Sequence, residues 1–293
     1  MRVLVLGGTG SIGAPVVREL VKRGHEVVAL VRSNSAAQKV TRLGARARNG
    51  DIKRPHDWIG GLPPLGAVIH VASDFSNAVG DTDRHLLDAL LPRLAAQPQK
   101  VRFLYTGGCW MFGETGNNLA TEASPLRPLP GDAWAVAHIQ RVLDAPGIDP
   151  IVVHPAMVYE PAAGVFSSFA RDATEGRAIR IVAGENVRWP LVHADDLAHL
   201  YALVLENGVA RQSYIGSAID GLTVGRIARA FARRCGALDF KPQIVSADEI
   251  AAELGEWARG FALDQQLSGE KARRSLGWNP QHLDPEGEIA PSA

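Results

Sequence analysis

The residues able to do chemistry begin at the amino terminus. Gly7, Gly10 and Gly13 fall at Gly-x-x-Gly-x-x-Gly spacing within Gly7-Gly8-Thr9-Gly10-Ser11-Ile12-Gly13. The run closes a short apolar strand, Val3–Leu6, and opens a helical stretch, the context in which such glycines bind a dinucleotide. Bare glycines let the backbone around Thr9, Gly10, Ser11 and Ile12 approach a pyrophosphate, whose charge is favoured at a helix N-terminus. Gly13 lets that helix pack closely on the strand. About twenty residues further on, where an acid would hold both ribose hydroxyls of NAD, the second strand ends Val31-Arg32-Ser33. Arg32 suits a 2′-phosphate and Ser33 adds a donor, so NADP(H) is the expected cofactor. NAD stays possible, because Arg32 can also stack on adenine beside either nucleotide. Asp51 and Ile52, past the third strand, either receive the adenine amino group or, in the case of Asp51, cap the next helix.

The elements that must position these groups alternate. Val3–Leu6, Glu26–Val31, Ala67–Val71, Val101–Thr106 and Pro150–His154 are nearly continuous apolar runs, as in parallel strands covered on both faces. Between them Ser11–Arg23, Asp81–Ala96 and Trp134–Asp144 carry apolar residues at helical spacing. This predicts an α/β fold, a doubly wound parallel sheet of the Rossmann-like kind. The core spans 1–155, with 191–216 returning to it. Residues 156–190 and 217–280 form a smaller, mostly helical C-terminal substrate lobe. In the second half the spacing predicts a helix over Phe166–Glu175, a strand over Ile179–Ala183, a helix over Val192–Glu206, a strand over Ser213–Gly216 and an amphipathic helix over Leu222–Cys235. Ser246-Ala247-Asp248-Glu249 is a capping box. Ser268 caps a final helix that Gly277 ends, and 281–293 reads as a mobile tail.

Composition excludes several classes. Among 293 residues, 31 Lys+Arg balance 31 Asp+Glu, which argues against a nucleic-acid or anionic-membrane surface. No apolar run approaches the ~20 residues of a membrane span. The first residues read as a strand and not as a leader. Two cysteines, Cys109 and Cys235, exclude a disulfide framework and fit a reducing cytoplasm. Neither has a neighbour at metal-site spacing, so no metal is expected.

Taken together, the chain resembles the extended and atypical short-chain dehydrogenase/reductases, the epimerase/dehydratase branch. The resemblance rests on Gly7–Gly13, Gly50-Asp51-Ile52, Val68–Ala72, Tyr105–Gly113, Thr121–Pro125, His154–Tyr159, Leu191–Ala198 and Leu276–Pro280, in that order. It implies a nicotinamide dinucleotide site that includes Val71, Ala72 and Ser73 after the fourth strand, Thr106 after the fifth, and Pro155 and Val158 after the sixth. It also implies a small-molecule substrate, and a homodimer through the helices at Asp81–Ala96 and Trp134–Asp144. Members of the family carry a Ser or Thr after the fifth strand and Tyr-x-x-x-Lys on the next helix. Here those places fall on Gly108, beside Gly107, and on Trp134 and His138, so the usual triad is missing. An indole N–H donates but does not shuttle protons. His138 can bind ribose hydroxyls.

His138, Trp134 and Tyr159 are therefore the catalytic candidates, Tyr159 as the surviving phenol nearest the nicotinamide end. The bland readings are that Thr106 satisfies backbone at a strand end, Cys109 is packed and inert, and Trp110 and Phe112 are core as readily as pocket wall. Asp74 reads as a loop acid, His70 as a buried strand residue with a satisfied ring, and His154 as standing where an Arg is frequent. Asp195 and Asp196 read as a helix cap and first-turn dipole partners next to His193. The long connection Glu114–Asp132 is a binding lid or a rigid wrap bordering the substrate. Hydride transfer on a carbonyl, alcohol or activated C=C is the first functional expectation. The alternatives are a non-catalytic nucleotide sensor of the NmrA-like kind and a non-redox lyase or isomerase.

Overall fold

The computed structural model describes residues 1–73, 76, 78–236 and 240–289. The first half runs β1 (Arg2–Leu6), α1 (Gly13–Lys22), β2 (Glu26–Val31), α2 (Asn34–Arg42), β3 (Arg46–Asn49), α3 (His56–Ile59), β4 (Ala67–His70), α4 (Val79–Ala95), β5 (Arg102–Thr106), α5 (Ala133–Asp144) and β6 (Asp149–Pro155). The second half runs β7 (Met157–Glu160), β8 (Ala163–Gly164), α6 (Ser167–Thr174), β9 (Arg180–Val182), β10 (Arg188–His193), α7 (Ala194–Asn207), β11 (Gln212–Gly216) and β12 (Ile219–Thr223). It continues with α8 (Val224–Arg234), β13 (Gln243–Val245), α9 (Ala247–Leu254), α10 (Glu270–Leu276) and α11 (Pro285–Ile289).

Seven strands form one sheet in the order β11-β6-β5-β4-β1-β2-β3, and every pairing in it is parallel. The period of two along β1 explains the layers. Val3 and Val5 join the core that α1 and α7 cover, with Val16, Val17, Leu20, Leu197 and Tyr201. Leu4 and Leu6 join the opposite core, with Leu86, Leu87, Leu90, Ile139 and Val142 of α4 and α5. Both faces are apolar because both are covered. The strand order reverses beside β1, and in such sheets ligands bind at that crevice, past the carboxyl ends of the strands.

The lobe differs from its expected form. Besides its helices it holds a four-stranded sheet, β12-β10-β7-β8, and a two-stranded one, β13-β9. The stretch read as one helix over Val192–Glu206 is β10 followed by α7. Leu191, Val192 and His193 pair in parallel with Met157, Val158 and Tyr159 of β7, and His193 then caps α7 by accepting from Asp195 N–H at 3.2 Å. The cap is thus the histidine. Asp195 pairs with Arg18, while buried Asp196 accepts from the Gln281 and His282 N–H groups at 2.9 and 2.8 Å. The tail expected to be mobile from 281 is tied down as far as 289. Ile289 is fully buried, its carbonyl accepts from Arg234 at 2.8 Å, and Glu286 pairs with Arg226. The capping box at Ser246 and Glu249 forms, and Gly277 ends α10 in the left-handed region. No helix among the described residues is long and apolar enough to cross a membrane.

Candidate active site

The glycine-rich turn is explained by what surrounds it. Gly7 has φ +92°, and a Cβ on it would stand 2.8 Å from the Ala72 backbone. A Cβ on Gly13 would meet the Gly7 carbonyl oxygen at 2.0 Å. Gly10 is different. A Cβ there has only the Gly7 oxygen within reach, at 3.5 Å, so the protein itself leaves the space open, and the space is the approach a pyrophosphate needs. Thr9, Gly10 and Ser11 are exposed, and no side chain caps the N-terminus of α1. Ala14 N–H is spent on the Gly10 carbonyl at 3.0 Å and Pro15 has no N–H, so the donors left for an anion are those of Ser11, Ile12 and Gly13 at the end of the turn.

Beyond β2 a hollow of about 310 Å³ is lined by Arg32, Ser33, Asn34, Gly50, Asp51 and Arg54. Arg54 faces Asp57 at 3.6 Å, whereas no ion-pair partner of Arg32 is found among the described residues. Ser33 caps α2 by accepting from Ala36 N–H at 3.2 Å, which leaves its own proton to donate. Asp51 accepts from Lys53 N–H at 3.0 Å, a turn contact and not the cap of α3.

From this end a cleft of about 1380 Å³ runs into the lobe. Ser11, Ile12, Ile52, Val71, Ala72, Ser73, Thr106, Trp134, His138, Pro155 and Val158 all line it, so most of the expected site residues share one cleft. Tyr159 does not. It is fully buried, stacked on Phe166 at 4.8 Å, and its hydroxyl reaches the His282 carbonyl at 3.4 Å. Burial pushes its pKa far up, so it is a packing residue of the lobe. Asp74 lies outside the described residues. The Thr106 hydroxyl is engaged by the Tyr201 hydroxyl at 2.6 Å, not by backbone.

The polar heart of the cleft is a carboxylate. Asp83 Oδ2 accepts from His138 Nδ1 at 2.7 Å and from the Tyr105 hydroxyl at 2.7 Å. Its Oδ1 accepts from His70 Nε2 at 2.8 Å. The His70 Nδ1 accepts from Ala72 N–H at 3.4 Å, which fixes that ring as the Nε2–H tautomer. Burial raises a carboxyl pKa, but the hydrogen bonds from His138, His70 and Tyr105 override it and hold Asp83 far below the usual carboxylate range. Burial and then the charge of Asp83 push the Tyr105 phenol well up. His138 has Nδ1 spent on Asp83, which leaves Nε2 as its uncommitted nitrogen, and the residue lines the cleft. Trp134 lies one helical turn before it, edge-on at 5.1 Å. Its indole N–H is buried with no partner among the described residues, and its ring covers Gly80 so closely that a Cβ there would stand 2.9 Å away.

Sequence reasoning missed Asp83 and Tyr105. A signal for Asp83 was present. On α4 the buried residues are Asp83, Leu86, Leu87, Leu90, Leu91 and Leu94, so an acid occupies the apolar stripe, where acids almost never sit unpaired. His70 is buried with its ring satisfied, and its partner is this acid.

The turn after β5 explains its own glycines. A Cβ on Gly107 would stand 2.5 Å from His154 Nδ1, whereas Gly108 has open space around it and an extended φ of 163°. His154 is buried, and burial pulls its pKa down to about 4, so no cation stands there. Cys109 is buried and its thiol is pushed up to about 12 by burial, the inert thiol expected. Trp110 lines the cleft, while Phe112 is core and packs on His154 at 5.1 Å. The connection Glu114–Asp132 is pinned. Ala120 bridges Leu267, the Arg188 guanidinium holds the Gly116 carbonyl at 2.9 Å, and Glu122 accepts from Ile215 N–H at 2.7 Å. It is a wrap, and its end, Leu129–Asp132, borders the cleft.

An all-parallel sheet in this order, with a glycine-rich first turn at the reversal, defines a dinucleotide-binding Rossmann fold. The family model of the NAD dependent epimerase/dehydratase family matches residues 3–216, and the chain belongs to that family. A relative from Stigmatella aurantiaca, 4-hydroxy-2-methyl-3-oxo-4-farnesyl-3,4-dihydroquinoline-1-oxide ketoreductase, is 26% identical over 311 residues, covering 95% of this chain and 92% of its own. Among solved structures, the dTDP-glucose 4,6-dehydratase DesIV of Streptomyces venezuelae, with NAD and TYD bound, is similar with TM-score 0.81 and 23% identity, covering 99% of this chain and 95% of that one. Human epimerase family protein SDR39U1 with NADPH is similar with TM-score 0.81 and 19% identity, covering 99% and 98%. At these identities the two structures share the fold.

Proposed function

We propose that the protein is an NADP(H)-dependent oxidoreductase that interconverts a carbonyl and an alcohol, or reduces an activated C=C. The observation that carries this reading is the Asp83–His138 pair in the cleft that Ser11 and Ile12 of the glycine-rich turn also line. The open cradle at Gly10 and the uncapped start of α1 fit a pyrophosphate, and Arg32 with Ser33 fits a 2′-phosphate. A nicotinamide bound in the cleft supplies or accepts the hydride. The protein must then manage one proton at the substrate oxygen. Asp83 holds Nδ1–H of His138 at 2.7 Å, so Nε2 is the nitrogen that takes or gives that proton, and the carboxylate steadies the imidazolium that results. His70 and Tyr105 keep Asp83 ionised and in place. Trp134 packs edge-on against His138. The ketoreductase relative supports redox over lyase chemistry, and the small-molecule substrate and a homodimer through α4 and α5 belong to the same reading.

The test is NADPH oxidation against a panel of ketones and enones. General acid–base catalysis contributes roughly a hundredfold or more, so His138→Ala should lower kcat by about that factor while NADPH still binds. An unchanged kcat and pH profile would remove His138 from the chemistry.

A further inference from the structure

The lobe half of the cleft is walled by aromatic rings. Trp110, from the turn after β5, stacks on Trp257 at 6.1 Å and meets Phe261 edge-on at 5.5 Å. Phe261 lies 5.6 Å from Trp189 of β10, and Trp189 stacks on Phe169 of α6 at 5.9 Å with planes 8° apart. All five line the cleft. Two of the indole N–H groups are satisfied inside the protein. Trp189 donates to the Phe261 carbonyl at 3.0 Å and Trp257 to the Leu254 carbonyl at 2.8 Å; the half-buried Trp110, Trp257 and Phe261 rings offer the apolar surface, while Trp189 and Phe169 are buried and back it. Gly260 is bare for the same wall, since a Cβ on it would meet the Trp110 ring at 2.3 Å.

Most of the charges nearby cancel. Arg180 is held by Glu253 at 2.7 Å and Arg259 by Glu256 at 2.7 Å. Arg171 comes only within 4.0 Å of Asp172, which Arg177 holds at 2.8 Å. All of these except Arg177 line the cleft. A sugar nucleotide presents a diphosphate, which needs cations or aligned donors not already committed to carboxylates. A flat apolar molecule needs stacking faces and little else. None of the five aromatic residues is among the groups proposed for the cofactor.

We infer that this half of the cleft takes a large planar apolar substrate, an aryl or fused-ring ketone or enone, and not a sugar nucleotide. The inference rests on the hydride-transfer reading for the carbonyl and on the aromatic wall for the rest. The probe is an environment-sensitive dimethylaminonaphthyl ketone, titrated into the full chain with and without NADPH and read by its emission shift. Acetylnaphthalene and UDP-glucose serve as competitors. The expected result is saturable binding that acetylnaphthalene displaces and UDP-glucose does not. A lost stacking partner costs on the order of tenfold in affinity, so Trp257→Ala should raise the Kd by about that factor, and Trp257→Phe should restore most of it. Displacement by UDP-glucose at lower concentration than by acetylnaphthalene would overturn the inference, as would no saturable binding of the probe or an unchanged Kd in a folded Trp257→Ala protein. NADPH binding is followed separately by thermal shift. Its failure would sink the oxidoreductase reading while the probe titration still decides the nature of the wall.

Discussion

The glycine-rich turn and the polar wall of the same cleft are built in opposite ways. The turn is contiguous: seven residues, Gly7 to Gly13, carry its geometry, and each glycine answers a steric demand or leaves a space. The wall is assembled from β4, α4, β5 and α5, which bring His70, Asp83, Tyr105 and His138 together. The turn binds through backbone, which any correct loop supplies. The wall acts through side chains whose protonation depends on burial, and its pieces support one another. Damage to the wall should therefore cost stability as well as activity, whereas change at the open part of the turn should cost affinity alone.

The largest effect should follow from removing the buried carboxylate. Breaking a buried charged network by deleting one partner costs about 3–5 kcal/mol, so Asp83→Ala should show a loss of that size in chemical denaturation. A loss below about 1 kcal/mol, the range of exposed pairs, would mean that the wall is not one unit. Acid should act next, through His154. Its folded pKa of about 4 lies below the ~6.5 of an unfolded histidine, so the unfolded chain takes up the proton first, and stability present above pH 6.5 is lost as the pH falls towards 4. The shift corresponds to about 3 kcal/mol at 1.36 kcal/mol per unit. In His154→Asn that part of the slope should disappear.

Two adjacent glycines sharpen the contrast further. Gly107→Ala pushes a methyl onto the buried His154 ring and should cost about 1–3 kcal/mol, as overpacking does. Gly108→Ser enters open space and should leave the melting temperature unchanged. Equal effects at the two positions would contradict the account of this turn. The smallest expected effect on the fold is at Arg32. Arg32→Asp should weaken NADP(H) binding by about tenfold or more, the worth of one charge-assisted pair, with less effect on NAD(H). Unchanged selectivity would discard the 2′-phosphate assignment.

The same contrast explains what could be read from sequence. Most of the first half was legible because buried parallel strands are written as continuous apolar runs such as Val3–Leu6; β3, the exposed edge strand Arg46–Asn49, carries no such run, and its bounds, like α2 and α3, were not legible. The turn was legible because spacing and context coincide at Gly7, Gly10 and Gly13. The wall was not, because Tyr105 looks like one more strand residue until β5 lies beside α4. Tyr159 misled for the same reason: a phenol after the sixth strand says nothing about which way it turns, and here it turns into the lobe. The split of Val192–Glu206 into β10 and α7 was hidden because a covered strand end and a helix start are both apolar.

The central claim is that the open space at Gly10 receives a dinucleotide's phosphates. The direct measurement is calorimetric titration of NADPH into the wild-type chain and into Gly10→Val. The account predicts one-site binding to the wild type, and loss of that binding in a variant that melts at the wild-type temperature. A wild-type chain that shows no binding to NADPH or NADH, or a folded Gly10→Val that binds as tightly as the wild type, would contradict it.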